Sequence, residues 1–479
     1  MRFPHFQKGL LLPLLIVLMS PTTLWALEPV DNGPAPVNRT STETVKGSPW
    51  SGFNDPVLND LVARALAGNP GIDAANARIQ MAEAAAEASM APLRPTVFAD
   101  ASYMLNNYVS PEKSMGISSF PVTNTDTPNF TQTATTRLVA SYDADIAGRY
   151  RKARAATLKE VDASKEDAQA QGMTVALLVV QNYYDIAAAK IRVKLIESQI
   201  ENNEKLLKLV MAQFDVGSAS SLDVLQQRAQ LESKKAQLPL AQTIIESGKL
   251  QLAALLDEPV ENLPEIPARL PDLEHATVRI NKTQLGDNLL KHQPSLRAAR
   301  IRLDALSLKE VSARRALWPS LGLSGAVGYQ WKRINDWINN ETWQVGATLT
   351  VPIYMGGANR AGIQQAEAAT LNAKYSLENS ALQARTRVLA AQEREKAQRE
   401  YLDALRAQNQ SLELTVNEAT RKYMAGLSSY LNVLTANDVL QLNELNLIQV
   451  ERNLLAARIE LLEALGGEWT QTLVTDKME

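Results

Sequence analysis

The 479-residue chain contains no cysteine. That excludes disulfides, thiolate metal sites, cysteine nucleophiles and cysteine-linked lipid anchors together. Histidine is nearly as scarce, with only His5, His275 and His292, so a zinc site or a Ser-His-Asp triad has almost no material. No basic excess exists either: 49 Lys and Arg stand against 52 Asp and Glu. Without surplus cations to neutralise phosphates, nucleic acid is not an expected partner. No glycine-rich phosphate loop and no paired-carboxylate framework is present, so neither an enzyme nor a cofactor is expected. No mature segment reaches the ~20 apolar residues of a transmembrane helix. The short apolar run Leu10 to Met19 follows Arg2 and Lys8 and precedes Leu24-Trp25-Ala26. This is the pattern of an export signal over 1–26. A Pro-, Thr-, Ser- and Asn-rich stretch, 27–52, then reads as an extended arm.

What the sequence does have is a copy of itself. Asn69 to Pro95 matches Gln293 to Pro319, each opening on a polar residue and Pro and closing on Pro. Phe214 to Leu225 matches Tyr423 to Leu434 at an offset of 209. At that same offset Leu231, Leu238, Ile245 and Leu252 fall on Leu440, Leu447, Leu454 and Leu461. A spacing of seven is a coiled-coil seam, and Asn437, Glu444, Glu451 and Arg458 are expected off it. The chain therefore divides into a first repeat, 53–258, a Pro-rich linker, 259–282, a second repeat, 283–469, and a tail, 470–479.

Each repeat reads helix, strand, loop, strand, very long helix, turn, long helix. Strands are predicted at about 96–105, 137–146, 320–329 and 344–353. Their residues alternate: Leu321, Leu323, Val327 and Tyr329 oppose Ser320, Gly322, Ser324 and Gly328. Such alternation suits any sheet half buried on a core. Three features favour a membrane: lengths near the ~9–11 residues that span a bilayer, aromatics at strand ends (Trp318, Tyr329, Trp331, Trp343), and no further element to cover the apolar face. Four strands cannot close a barrel that needs about eight, and an open sheet in lipid leaves unsatisfied edges. Several chains must then share one barrel. A charge at Leu349 on the lipid face would cost ~2–4 kcal/mol if that residue lies near midplane. Asp100, Asp143 and Asp145 fall on the polar faces, as residues lining a lumen.

The helical stretches, about Arg149 to Phe214 and Arg360 to Tyr423, contain no proline. Each would reach ~100 Å, too long for a globular core and suited to a tube or rod. The turns between helices are placed at 215–221 and 424–430, where Gly217 and Gly426 supply the left-handed residue that ends a helix. Pro239 falls inside a predicted helix, where its counterpart is Ile448; it should remove a backbone hydrogen bond and bend the helix.

These residues resemble the TolC outer-membrane-factor family, and the second half its NodT-like efflux branch. The similarity is carried by Ser141 to Arg149 (SYDADIAGR), Val351 to Gly357 (VPIYMGG), and the turn Tyr423 to Leu434 with its copy Phe214 to Leu225. It extends from about Phe53 to Trp469. The resemblance implies a mainly α fold with a transmembrane β-barrel part. It would be a homotrimer, with four strands from each chain in a shared 12-stranded barrel and long coiled-coil helices forming a periplasmic tunnel. It also implies the outer membrane of a Gram-negative cell, a periplasmic adaptor, an inner-membrane pump, and export of drugs or other small toxic compounds. Strand-to-helix passages would fall at Pro95, Gly148, Pro319, Pro352, Gly356 and Gly357. The adaptor would contact the hairpin tips at Gly217, Ser218, Gly426, Leu427 and Ser428. Many NodT-like members have a lipidated amino-terminal cysteine; here anchoring must rest on the barrel.

The family places aperture residues just after each turn, and the matching positions are Asp223, Asn432 and Thr435. The founding member is acidic at the second-copy positions, and its basic partner falls on Ser428 here. Asn432 and Thr435 depart from that pattern, which puts strong cation selectivity in doubt. Asp223 is read either as a gate residue or as a helix cap. Two other functions stay open at this point: a duct for type I protein secretion, and a periplasmic coiled-coil structural protein. The alternating strands argue against the latter.

Overall fold

The computed structural model describes residues 55–108, 129–273, 285–331 and 341–467. The export signal, the arm, the tail, most of both strand-to-strand loops and linker residues 274–282 lie outside the described residues. Helix α1 (Pro56–Gly68) starts where Asp55 accepts hydrogen bonds from the amides of Val57 and Leu58, at 3.1 and 3.2 Å. Asn69 closes α1 and opens α2 (Pro70–Ala88), accepting from the Gly71 amide at 2.9 Å. Its Nδ2 donates to the Leu255 carbonyl at 2.8 Å. A polar residue followed by Pro at the first helical position is sufficient local cause for both starts.

Helix α3 (Arg149–Asp215) runs 67 residues without a break, and a turn leads to α4 (Ser221–Leu256) of 36 residues. After α5 (Leu285–His292) and α6 (Pro294–Arg315), helices α7 (Ala358–Met424) and α8 (Tyr430–Leu465) repeat those two lengths. The starts 149 and 358, and 221 and 430, are each 209 apart. The turns are thus tighter than 215–221 and 424–430, because Asp215, Ser221, Met424 and Tyr430 are all helical. Pro239 sits inside α4, which continues through it; Thr243 Oγ1 donates to its carbonyl at 2.9 Å. The main core gathers Leu58, Leu61, Val62 and Ala65 of α1 with Val179, Tyr183 and Ile186 of α3 and Leu252 and Leu256 of α4. Linker residues Ile266 and Leu273 close over it.

The off-seam positions of α8 are not all turned to solvent. Asn437 and Arg458 are buried, and Arg458 is paired with Glu395 of α7. A seven-residue row describes packing along one line only. Helix α8 packs along α7 and also against α3, so a second face is covered and its polar residues are buried with it.

The strands form one antiparallel sheet, β1 (Thr96–Tyr108), β2 (Asn129–Asp143), β3 (Ser320–Trp331) and β4 (Glu341–Thr350), in chain order. Two expected spans shift: 137–146 begins earlier and ends at Asp143, and 344–353 runs from 341 to 350. The β2–β3 pairing joins the two repeats, with Leu138 opposite Val327 and Tyr142 opposite Leu323. Register keeps alternation coherent across all four strands: Ala99, Leu138, Val327 and Trp343 form one apolar row, and Val97, Ala140, Gly325 and Val345 another. Nothing in the described chain covers this face, and Trp343 and Val345 are each 80% exposed. Leu349 lies one residue from the β4 end that leads into α7. It is therefore not a midplane residue; Val345 is mid-strand.

Candidate functional site

Four passages carry the chain between sheet and helices. Pro95 and Pro319 directly precede β1 and β3, a place where a missing N–H costs no ladder bond. Between β2 and α3, Asp145 takes a left-handed φ of 45° and is 5% exposed. Its carboxylate accepts from the amides of Tyr150 and Arg151 at 3.1 and 3.0 Å, while its own amide donates to Asp143 Oδ1 at 2.9 Å. The expectation that Asp145 lines a lumen therefore fails. It lies beyond the strand and satisfies the free N–H groups that open a helix, where an anion is favoured. The signal was available in an acidic residue followed shortly by Gly148 and a long helical run. Gly148 (φ 68°) stands before α3, and its carbonyl accepts from Arg315 Nη1 at 3.1 Å. A Cβ there would sit 2.5 Å from that nitrogen. Pro352 follows β4, and Gly356 (φ 60°) and Gly357 (φ 85°) open α7 in the second repeat.

On the polar face of the sheet, Asp100 accepts from Arg137 Nε and Nη2 at 2.7 and 3.1 Å across the β1–β2 pair.

The two hairpin tips are built alike. At the first, the Ser218 amide donates to the Gln213 carbonyl at 2.8 Å and Gly217 to Phe214 at 2.9 Å; at the second, Leu427 donates to Lys422 and Gly426 to Tyr423, each at 2.9 Å. Both are Schellman endings, with φ of 76° at Gly217 and 73° at Gly426. Gly217, Ser218, Gly426 and Leu427 are exposed and Ser428 half-buried.

Beyond the tips the copies diverge. Asp223 closes a capping box: its carboxylate accepts from the Ser220 amide at 2.9 Å, and Ser220 Oγ accepts from the Asp223 amide at 3.2 Å. In the second copy Asn432 Nδ2 donates to Ser428 Oγ at 2.9 Å, and Thr435 Oγ1 donates to the Leu431 carbonyl at 2.8 Å. Asn432 and Thr435 are exposed, and Asp223 is half-buried.

A buried polar chain behind the tips went unread in the sequence. Tyr430 donates to Gln227 Oε1. Gln227 Nε2 donates to the Asn203 carbonyl at 2.9 Å, and Gln199 Nε2 to the Gln441 carbonyl at 3.1 Å and Glu444 Oε2 at 2.8 Å. Gln230 donates to Asp438. These bonds join α8 to α3 and α4. Burial pushes the Tyr430 phenol and the Asp438 carboxyl upward, and the Lys234 ammonium downward against the pull of Asp438 and Glu444. Among the described residues no group of three His, Asp or Glu could hold a metal, and no helix is long and apolar enough to cross a membrane.

A sheet apolar on one face and polar on the other, continued by pairs of very long helices, defines the class of outer-membrane channels. The family model described as outer membrane efflux protein matches residues 61–258 and 285–467, and the chain belongs to that family. It is 29% identical over 425 residues to the pyoverdine export outer membrane protein OpmQ of Pseudomonas putida, covering 88% of each chain. It is 25% identical over 446 residues to the multidrug resistance outer membrane protein MdtP of Escherichia coli, covering 89% of this chain and 88% of that one. The solved outer-membrane channel OprN superimposes with a TM-score of 0.79 at 25% identity, over 91% of this chain and 95% of that one. CusC gives the same TM-score at 22% identity, over 90% and 98%. Family members are the outer-membrane components of tripartite efflux pumps, trimeric channels that work with an adaptor and an inner-membrane pump. This protein is accordingly an outer-membrane efflux channel and not an enzyme.

Proposed function

We propose that three copies of this chain form the exit duct for small molecules delivered by a periplasmic adaptor and its inner-membrane pump. The observation that carries this reading is the four-stranded sheet, whose apolar face is exposed and whose β1 and β4 each pair with one described strand. In lipid those edges need partners, and two further copies supply them. The repeats 53–258 and 283–469, joined by 259–282, each contribute two strands and one hairpin. Small-molecule cargo rather than secreted protein is favoured because relatives are named for pyoverdine export, toluene efflux and multidrug resistance. The tips at Gly217, Ser218, Gly426, Leu427 and Ser428 form the adaptor contact, since their exposed backbone turns end both hairpins.

Asp223, Asn432 and Thr435 line the periplasmic aperture in this reading, and threefold symmetry brings three of each together. A carboxylate ring favours cations, while Asn and Thr constrict with little charge. The test uses planar bilayers. Asp223→Asn should move the reversal potential in a salt gradient towards anions, whereas Ser220→Ala, which breaks the same capping box without removing charge, should not. Equal behaviour of the two variants would leave helix capping as the whole role of Asp223.

A further inference from the structure

The helical side of the four strand ends has a charge bias that the whole chain lacks. Within ten residues of those ends lie seven basic residues (Arg94, Arg149, Arg151, Lys152, Arg314, Arg315 and Arg360) and three acidic ones, Glu87, Asp145 and Glu310. Of the acidic three, Asp145 is buried and committed to capping α3. Every one of the four passages has at least one arginine. Arg94, Arg149, Arg151, Arg314 and Arg360 are exposed. Arg149 lies over the Tyr150 ring, 5.5 Å from its centroid. Arg151 pairs with the buried Asp145, and Arg314 with Glu310 and Glu367, whereas the Arg94–Glu87 pair, at 3.7 Å, is open to solvent, with both side chains more than half exposed. Such an open pair contributes little and exchanges readily for another anion.

An aromatic and apolar band adjoins these cations. Trp318 is 65% and Tyr354 84% exposed, and Ile353 is 95% exposed. A second set of aromatics, Tyr329, Trp331 and Trp343, lies towards the other end of the sheet. Two aromatic belts mark the two interfaces of a bilayer. The belt next to the helices then sits at the periplasmic leaflet, and the arginines lie at its headgroups.

We propose that this collar binds the phosphodiester headgroups of anionic phospholipids in the periplasmic leaflet. The inference rests on the reading of the chain as a shared barrel. Guanidinium groups match phosphate oxygens in geometry, and a cation near an anionic surface contributes roughly fivefold in affinity. Because the chain has no cysteine to carry a lipid, such contacts would supplement the barrel in holding its depth.

The experiment is native mass spectrometry of full-length protein in detergent, titrated with dioleoylphosphatidylglycerol or dioleoylphosphatidylcholine. Phosphatidylglycerol should be retained about tenfold over phosphatidylcholine on the trimer. In Arg94→Gln/Arg149→Gln/Arg360→Gln the ratio should fall below about threefold. Lys205→Gln/Lys235→Gln/Lys396→Gln, which removes the same charge from exposed helical positions away from the sheet, should keep the wild-type ratio. If the arginine variant does not assemble, about 0.5 M salt on wild-type protein replaces it, and the preference should collapse there. A trimer with equal retention of both lipids, or with a preference the arginine variant keeps, overturns the collar and leaves the duct intact. A monomer in the same spectra overturns the shared barrel and the collar with it.

Discussion

Tyr430 is among the most buried side chains, and its hydroxyl has one protein acceptor, Gln227. The two residues are 203 positions apart in sequence, so no local pattern could pair them. Tyr430→Phe keeps the ring contact with Tyr423, at 5.4 Å between centroids, but strands the buried Gln227 oxygen. Leaving such a group unsatisfied costs about 1–3 kcal/mol. We expect a lower denaturation midpoint and a larger resting conductance, measured by chemical unfolding and in planar bilayers. Wild-type values in both would remove this bond from the tip's stability. Gly217 and Gly426, by contrast, were legible from sequence alone. A left-handed helix ending is a property of a single residue, and open space surrounds both glycines, so backbone conformation is the only demand on them.

At the scale of elements, the long helices were legible because they depend on proline-free stretches and caps. Their partners were not. The leucine rows predict one contact line, yet α8 is also held to α3 and α4 by buried polar residues. Asp438 exemplifies the consequence. Burial raises its carboxyl above the ordinary 3.8, against the lowering effect of Lys234. The folded chain therefore keeps this proton at pH values where the unfolded chain has lost it. The associated stability is full below pH 3.8 and is lost as pH rises through the folded value. Stability measured by denaturant titration as the pH is raised above 3.8 should accordingly contain a falling component that Asp438→Asn lacks. An identical slope in the variant would show that Asp438 does not titrate in that range.

At the scale of the molecule, the question is how a four-stranded sheet survives in lipid. Val345, mid-strand and opposite Gly325, should be the sensitive position. Val345→Arg should cost ~2–4 kcal/mol, and Leu349→Arg, near the periplasmic end, only ~0–1 kcal/mol. Refolding into vesicles with urea titration measures both. Equal costs would overturn the placement of the membrane boundary at the strand ends. The same sheet decides how the repeats meet. Each copy supplies one hairpin of strands, and β2 pairs with β3 to join them.

The sequence by itself determined what depends on neighbours in the chain: the repeat offset, the helix starts and endings, the alternation that makes one sheet face apolar, and the absence of thiol chemistry. Only the tertiary structure decided which polar residues are enclosed, that Asp145 is a cap rather than a lumen residue, and that β2 and β3 are partners. The physical reason is range. Capping, backbone conformation and alternation act over a few residues. Burial and strand pairing depend on which distant segments arrive beside one another, and a hydrophobic row names a buried face without naming what covers it.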